Sequence, residues 1–195
     1  MQIDTDQGDP LHLLLSRCSI GTRQLQEPGP GDADLQRMVE AALRAPDHAG
    51  LVPYRFHAIR GDARHALADL FEQAALDAGK DPVQATRDRD RALGAPVLLA
   101  VVARIDQGHP VAGVHEQWMA VGGAVTNLLN AAHALGYAGK MLSGSKVRAA
   151  PVVSAFCGPG ESLVGWVVLG TAAVPGRIKF SKPAPQQVLT RWPGH

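Results

Sequence analysis

Residues 96–102 read Pro-Val-Leu-Leu-Ala-Val-Val, and this run constrains the fold more than any other part of the chain. Successive side chains of a strand point to opposite faces. A strand that is apolar at every position must be covered on both, as central strands are. Leu-Val-Gly-Trp-Val-Val-Leu at 163–169, with Gly170 at its end, is the second strong strand. A shorter one is expected at 55–60, where Phe56, Ala58 and Ile59 are apolar and Gly61-Asp62 forms the stop.

Around these runs helical spacing dominates. Asp9-Pro10 resembles a cap and first helical residue, followed by Leu11, Leu14, Leu15 and Cys18 on one face. Asp32 can cap a helix carrying Leu35, Met38, Val39, Ala42 and Leu43, and Pro46 stops it. A third helix is expected over 63–78, with Leu67, Leu70, Phe71, Ala74 and Ala75 inward and Gly79 as its stop. The charges alternating over 86–91 read as a solvated helical turn. A long apolar helix should span 116–135 and end at Gly136, and its Gly122, Gly123 and Ala124 permit close approach of another element. A short helix is expected near 152–156. No repeat interrupts this order, so residues 1–195 form one α+β domain with helices layered on a small sheet.

Composition narrows the function. The 195 residues are 46% hydrophobic and 19% charged, as in an ordinary globular chain. A net charge of +1 gives no reason to expect nucleic acid or an anionic membrane, so a bound anion must be held by local geometry. Cys18 and Cys157 stand far apart, with no spacing that suggests a disulfide framework or a metal site. The first ten residues carry three Asp and no basic residue, unlike a leader, so the cytoplasm is the expected compartment. No Ser/His/Asp or Cys/His set suitable for nucleophilic catalysis stands out, and no catalytic side chain is assigned.

Four blocks in order carry a resemblance. The first is Leu14-Leu15-Ser16-Arg17-Cys18-Ser19 with Arg23; the second is Leu43-Arg44-Ala45-Pro46-Asp47-His48 followed by Pro53-Tyr54-Arg55-Phe56. The third is Gly136-Tyr137-Ala138-Gly139, reaching Ser143-Gly144, and the fourth is Val164-Gly165 with Leu169-Gly170-Thr171. Together they resemble the FMN-dependent nitroreductase family, in its compact bacterial branch. The resemblance implies a small, mostly antiparallel sheet between helices and a homodimer with the cofactor site at the interface. It also implies hydride transfer from NADH or NADPH, through FMN, to a small oxidised acceptor such as a nitro compound or quinone, with ping-pong kinetics. A non-catalytic flavin-binding protein of this fold, or a related flavin chemistry such as reductive dehalogenation, is the alternative.

Carried over by position, Arg17 and Ser19 would serve the flavin phosphate and ribityl chain. Arginine suits a phosphate because its planar fork gives paired, charge-assisted hydrogen bonds. Read without the resemblance, Arg17 is a cation at a helix end and Ser19 a turn residue. Arg44 and His48 flank the Pro46 stop, and their counterparts contact the flavin, often from the neighbouring subunit. The segment 136–144 would bring main-chain N–H groups to the ring, since glycine lets a backbone approach closely. Two departures remove cations: Cys18 stands where the family carries a second arginine, and Met141-Leu142 where the branch has Trp-Arg before Ser143. Lys140 is the expected replacement, and Arg177, Lys179 and Lys182 in the tail are further candidates for the phosphate.

Overall fold

The structure, a computed structural model, describes residues 10–177 and 181–194. The cap expected at Asp9 and the tail residue Lys179 lie outside the described residues. The elements run α1 (Pro10–Ser16), β1 (Leu25–Gln26), α2 (Asp32–Ala42), β2 (Tyr54–Arg60), α3 (Ala63–Asp77) and α4 (Pro82–Leu93). They continue with β3 (Val97–Ala103), α5 (Val114–Ala134), β4 (Ala138–Leu142), α6 (Ala150–Phe156) and β5 (Ser162–Ala172).

All seven residues of β3 are buried, and their alternation builds two cores. Leu98, Ala100 and Val102 join Leu67, Phe71, Ala92 and Val152 from α3, α4 and α6. Val97, Leu99, Val101 and Ala103 join Leu35, Met38, Val121, Ala124 and Leu128 from α2 and α5. The sheet is thus the middle of three layers. Every paired strand in it is antiparallel, with β3 between β2 and β5, and with β4 and β1 also pairing with β5.

The register of β3 on β5 shifts between Val101 and Val102, which face Gly165 and Leu163. Gly165 sits at φ 154°, and a Cβ there would lie 2.1 Å from the Leu142 carbonyl oxygen. The Val164-Gly165 block therefore marks a bulge where β4 crosses closely, which only glycine allows.

Two expectations change. The charges of 86–91 lie within α4, a full helix of 12 residues, and Asp88 faces inward rather than to solvent. Its carboxylate binds Lys80 at 2.6 Å and Lys146 at 2.9 Å, and also Arg91. Asp32 is the first residue of α2 and not its cap, which is Gly31; its carboxylate pairs with Arg60. No helix among the described residues is long and apolar enough to cross a membrane.

Candidate functional site

Where α1 ends, the chain runs alongside β4. Ser19 bridges Gly139 in parallel, and the Ile20 N–H donates to the Gly139 carbonyl at 3.2 Å. The main chain of Gly139 therefore faces away from β5, and the alternation of an antiparallel ladder turns that of Met141 the same way. This junction opens a cleft of about 330 Å³ among the end of α1, the last turns of α5 and the start of β4. A second cavity of about 500 Å³ shares Ile20 and Gly176 with it and is lined by Ser19, Gln24 and Arg177.

The first cleft is lined by Ser16, Arg17, Cys18 and His133, with no carboxylate among its lining residues. Among the described residues the buried Arg17 Nη1 has no hydrogen-bond partner, and the same holds for the His12 Nδ1. A buried guanidinium N–H without a partner is rare unless something absent from the chain completes it. His133 Nε2 lies 3.0 Å from the Ser16 hydroxyl. Burial lowers the pKa of His133 below its ordinary value, and the positive charges of Arg17 and His12 lower it further. Tyr137 closes one side, its hydroxyl donating to Asp34 at 2.8 Å. The donor set fits a phosphate monoester: a guanidinium in want of an acceptor, hydroxyls at Ser16 and Ser19, and a further arginine at 177.

The predicted residues fall in five places. Arg17 and Cys18 line the first cleft, and Ser19 and Arg177 the adjoining cavity. Lys140 and Met141 lie on β4 and line neither; Met141 packs into the α2/α5 core. Leu142 and Ser143 open into a different cleft of about 280 Å³, walled by Lys80, Arg91, Lys146 and Trp166. The segment expected to be a glycine-rich loop is instead β4, and Gly139 answers to packing, since a Cβ there would lie 2.2 Å from the Val168 carbonyl oxygen.

Arg44 and His48 stand apart from all of these. Both are exposed, and the His48 Nδ1 pairs with Glu116 at 3.0 Å in the first turn of α5. Glu116 also accepts the Gly113 N–H at 2.7 Å; that bond and His48 hold its carboxyl below the usual range. From Glu116 to His133 the helix advances about 25 Å at 1.5 Å per residue, so one chain does not bring His48 to Arg17.

Sequence reasoning missed Ser16 and His133. The available signal was helical spacing: Leu129 and His133 are one turn apart on the face leading to Gly136, and both line the cleft. Asp88 was missed because a charge-rich segment reads as solvated unless its cations are known to converge. Tyr54 and Arg55 of the second block are structural. The Tyr54 hydroxyl donates to the Ala42 carbonyl at 3.0 Å, fixing the end of α2. Arg55 binds Glu161 and the Phe156 carbonyl, and with the Gly158 N–H it pulls the Glu161 pKa down to about 2.

The three-layer α+β fold is shared with solved structures. A nitroreductase-like family protein from Bacillus cereus superposes with a TM-score of 0.83 at 18% identity, over 97% of this chain and 99% of its own. A structure titled "putative nitroreductase in complex with fmn", from Desulfovibrio desulfuricans, gives 0.73 at 25% identity over 98% of this chain and all of its own. In sequence, "Putative NAD(P)H nitroreductase YdjA" of Escherichia coli K12 is 34% identical over 183 residues, 93% of this chain and 98% of that protein. The model of the nitroreductase family matches residues 14–171. The chain belongs to the nitroreductase family.

Proposed function

We propose that the protein is an FMN-dependent oxidoreductase that takes reducing equivalents from NADH or NADPH and gives them to a small oxidised acceptor, such as a nitro compound or quinone. The observation that carries this is the buried Arg17 Nη1, unpartnered among the described residues, in a cleft that none of their carboxylates lines. The names of the relatives agree: one is called a putative NAD(P)H nitroreductase, at 34% identity, and one was solved in complex with FMN, at 25%.

Arg17 and Ser19 hold the phosphate, with Arg177 reaching it from the adjoining cavity. Cys18 supplies wall and not charge. The outward main chain of β4 offers N–H donors to the ring, and Lys80, Arg91 and Lys146 lend positive potential beyond Leu142 and Ser143. Arg44 and His48 reach the site only from a second copy of the chain, which makes the working unit a homodimer. FMN, when bound, supplies a reversible two-electron carrier, so nicotinamide and acceptor can use one face in turn and the kinetics are ping-pong. No side-chain nucleophile is required. The chain contributes position, charge and exclusion of water.

Isothermal titration of the FMN-free chain tests the site. Loss of a buried, charge-assisted contact costs about 1.5–3 kcal/mol, so Arg17→Ala should weaken FMN by one to two decades. An anaerobic spectrum before and after NADH or NADPH tests the reaction: the flavin should bleach with at least one. A chain that binds FMN but stays oxidised with both, and is reduced by dithionite, is a flavin-binding protein or runs another flavin chemistry. No saturable FMN binding at tens of micromolar, against the micromolar affinity about 8 kcal/mol would give, removes the proposal entirely.

A further inference from the structure

We propose that His133, paired with Ser16, is a proton-taking partner of the phosphate group held in the Arg17 cleft, so that cofactor binding draws a proton from solution. The inference rests on the flavin reading only for the identity of the phosphate monoester.

The geometry is that of a site short of one anion. His133 is on the last turn of α5 and lines the same cleft as Arg17, with its Nε2 3.0 Å from the Ser16 hydroxyl. Around it α1 presents His12 and the segment after it Arg17, while Tyr137 before β4 is bound to Asp34. From the tail, Gly176 lines the cleft and Arg177 lies in the adjoining cavity. Among the described residues no carboxylate lines the cleft, so a charged imidazole there faces the cations of Arg17 and His12 without a described counter-ion. Burial and those neighbours disfavour the imidazolium of His133, in the direction already given.

A phosphate monoester carries about −1.5 to −2 charge near neutrality. Placed among these groups it reverses the local potential and favours the imidazolium. The sign follows. His133 has a pKa below about 6.5 in the empty cleft and a higher one with phosphate present. Between the two values binding takes up a proton, so affinity rises as pH falls through the upper value and levels off below the lower one.

The full-length protein is titrated with FMN between pH 6.5 and 8.5, in buffers of different ionisation enthalpy, to count protons taken up. Wild type should bind FMN about three- to tenfold more tightly at pH 6.5 than at 8, with up to one proton taken up. Riboflavin, which lacks the phosphate, should show neither effect. His133→Gln should flatten the FMN profile, while His12→Gln should keep it. The imidazole of His133, followed by NMR in the wild-type chain, should titrate at higher pH with FMN than without, which covers a variant that folds poorly. FMN binding without proton uptake, an unchanged imidazole pKa, the same uptake with riboflavin, or a profile flattened by His12→Gln alone would each overturn the assignment. A chain that binds no FMN would instead defeat the flavin reading, and the imidazole can then be titrated with inorganic phosphate as the probe.

Discussion

Asp88 is the one buried carboxylate among the described residues. Burial alone would raise its pKa, but hydrogen bonds from Lys80 and Lys146 outweigh it and hold the group below the ordinary carboxylate value. With Lys80 before α4 and Lys146 beyond β4, the carboxylate ties α4 to the segment that follows Ser143. Removing one partner of a buried pair typically costs 3–5 kcal/mol; since Lys80 is partly exposed, about 3 kcal/mol is expected for Asp88→Asn at pH 7. The sign with pH is fixed by the depressed value. The contribution is complete above the unfolded pKa near 4 and fades as pH falls through the folded one, so wild type and variant should converge in acid. Urea unfolding at pH 7 and at pH 3 measures both arms, and a gap that persists unchanged in acid would contradict the ionic account.

At the level of the elements, β4 decides where the site lies. It is short, with β5 on one edge and Ser19 and Ile20 on the other. Gly139→Ala would set a Cβ 2.2 Å from the Val168 carbonyl oxygen and 2.9 Å from Leu169 Cδ2. The carbonyl cannot yield without moving the strand, so a loss of about 2 kcal/mol is expected from the denaturation midpoint, with weaker cofactor binding as β4 shifts from Arg17. An unchanged midpoint would mean that β4 is not held against β5 as described. Glycine at 139 is thus read correctly as permitting close approach. What approaches is a neighbouring strand.

For the whole molecule, the prediction is a dimer. Leu14 and Leu15 on α1, Trp118 and Met119 on α5, and Val188, Leu189 and Trp192 in the tail are exposed at 41% to 82%. Large apolar side chains thus stand exposed on three separate segments, and a second copy of the chain is the expected cover for them. The separation of His48 from Arg17 along α5 says the same from the side of function. Sedimentation equilibrium should give twice the 20.6 kDa chain mass, through an interface on the order of 2,000 Å². Met119→Glu should shift the balance toward monomer and weaken FMN together. A monomer that binds FMN tightly would separate the cofactor site from the dimer.

The sequence by itself determined the layers. Residues 96–102 are apolar on both faces and must be covered on both. A central strand with layers on either side and a long helix ending at Gly136 therefore follow from periodicity, while the sheet between helices came from the family resemblance. The blocks around Arg17 and Ser19 were likewise legible, because they are contiguous and carry their chemistry with them. Only the tertiary structure decided which distant groups meet. His133 joins Arg17 because α5 ends beside α1, Asp88 is held by Lys146 from a segment beyond β4, and Lys140 lies on β4 without lining the cleft. The physical reason is that period and propensity are local along the chain. The field at a side chain is set by whatever packing brings within a few ångströms, and no local pattern records that.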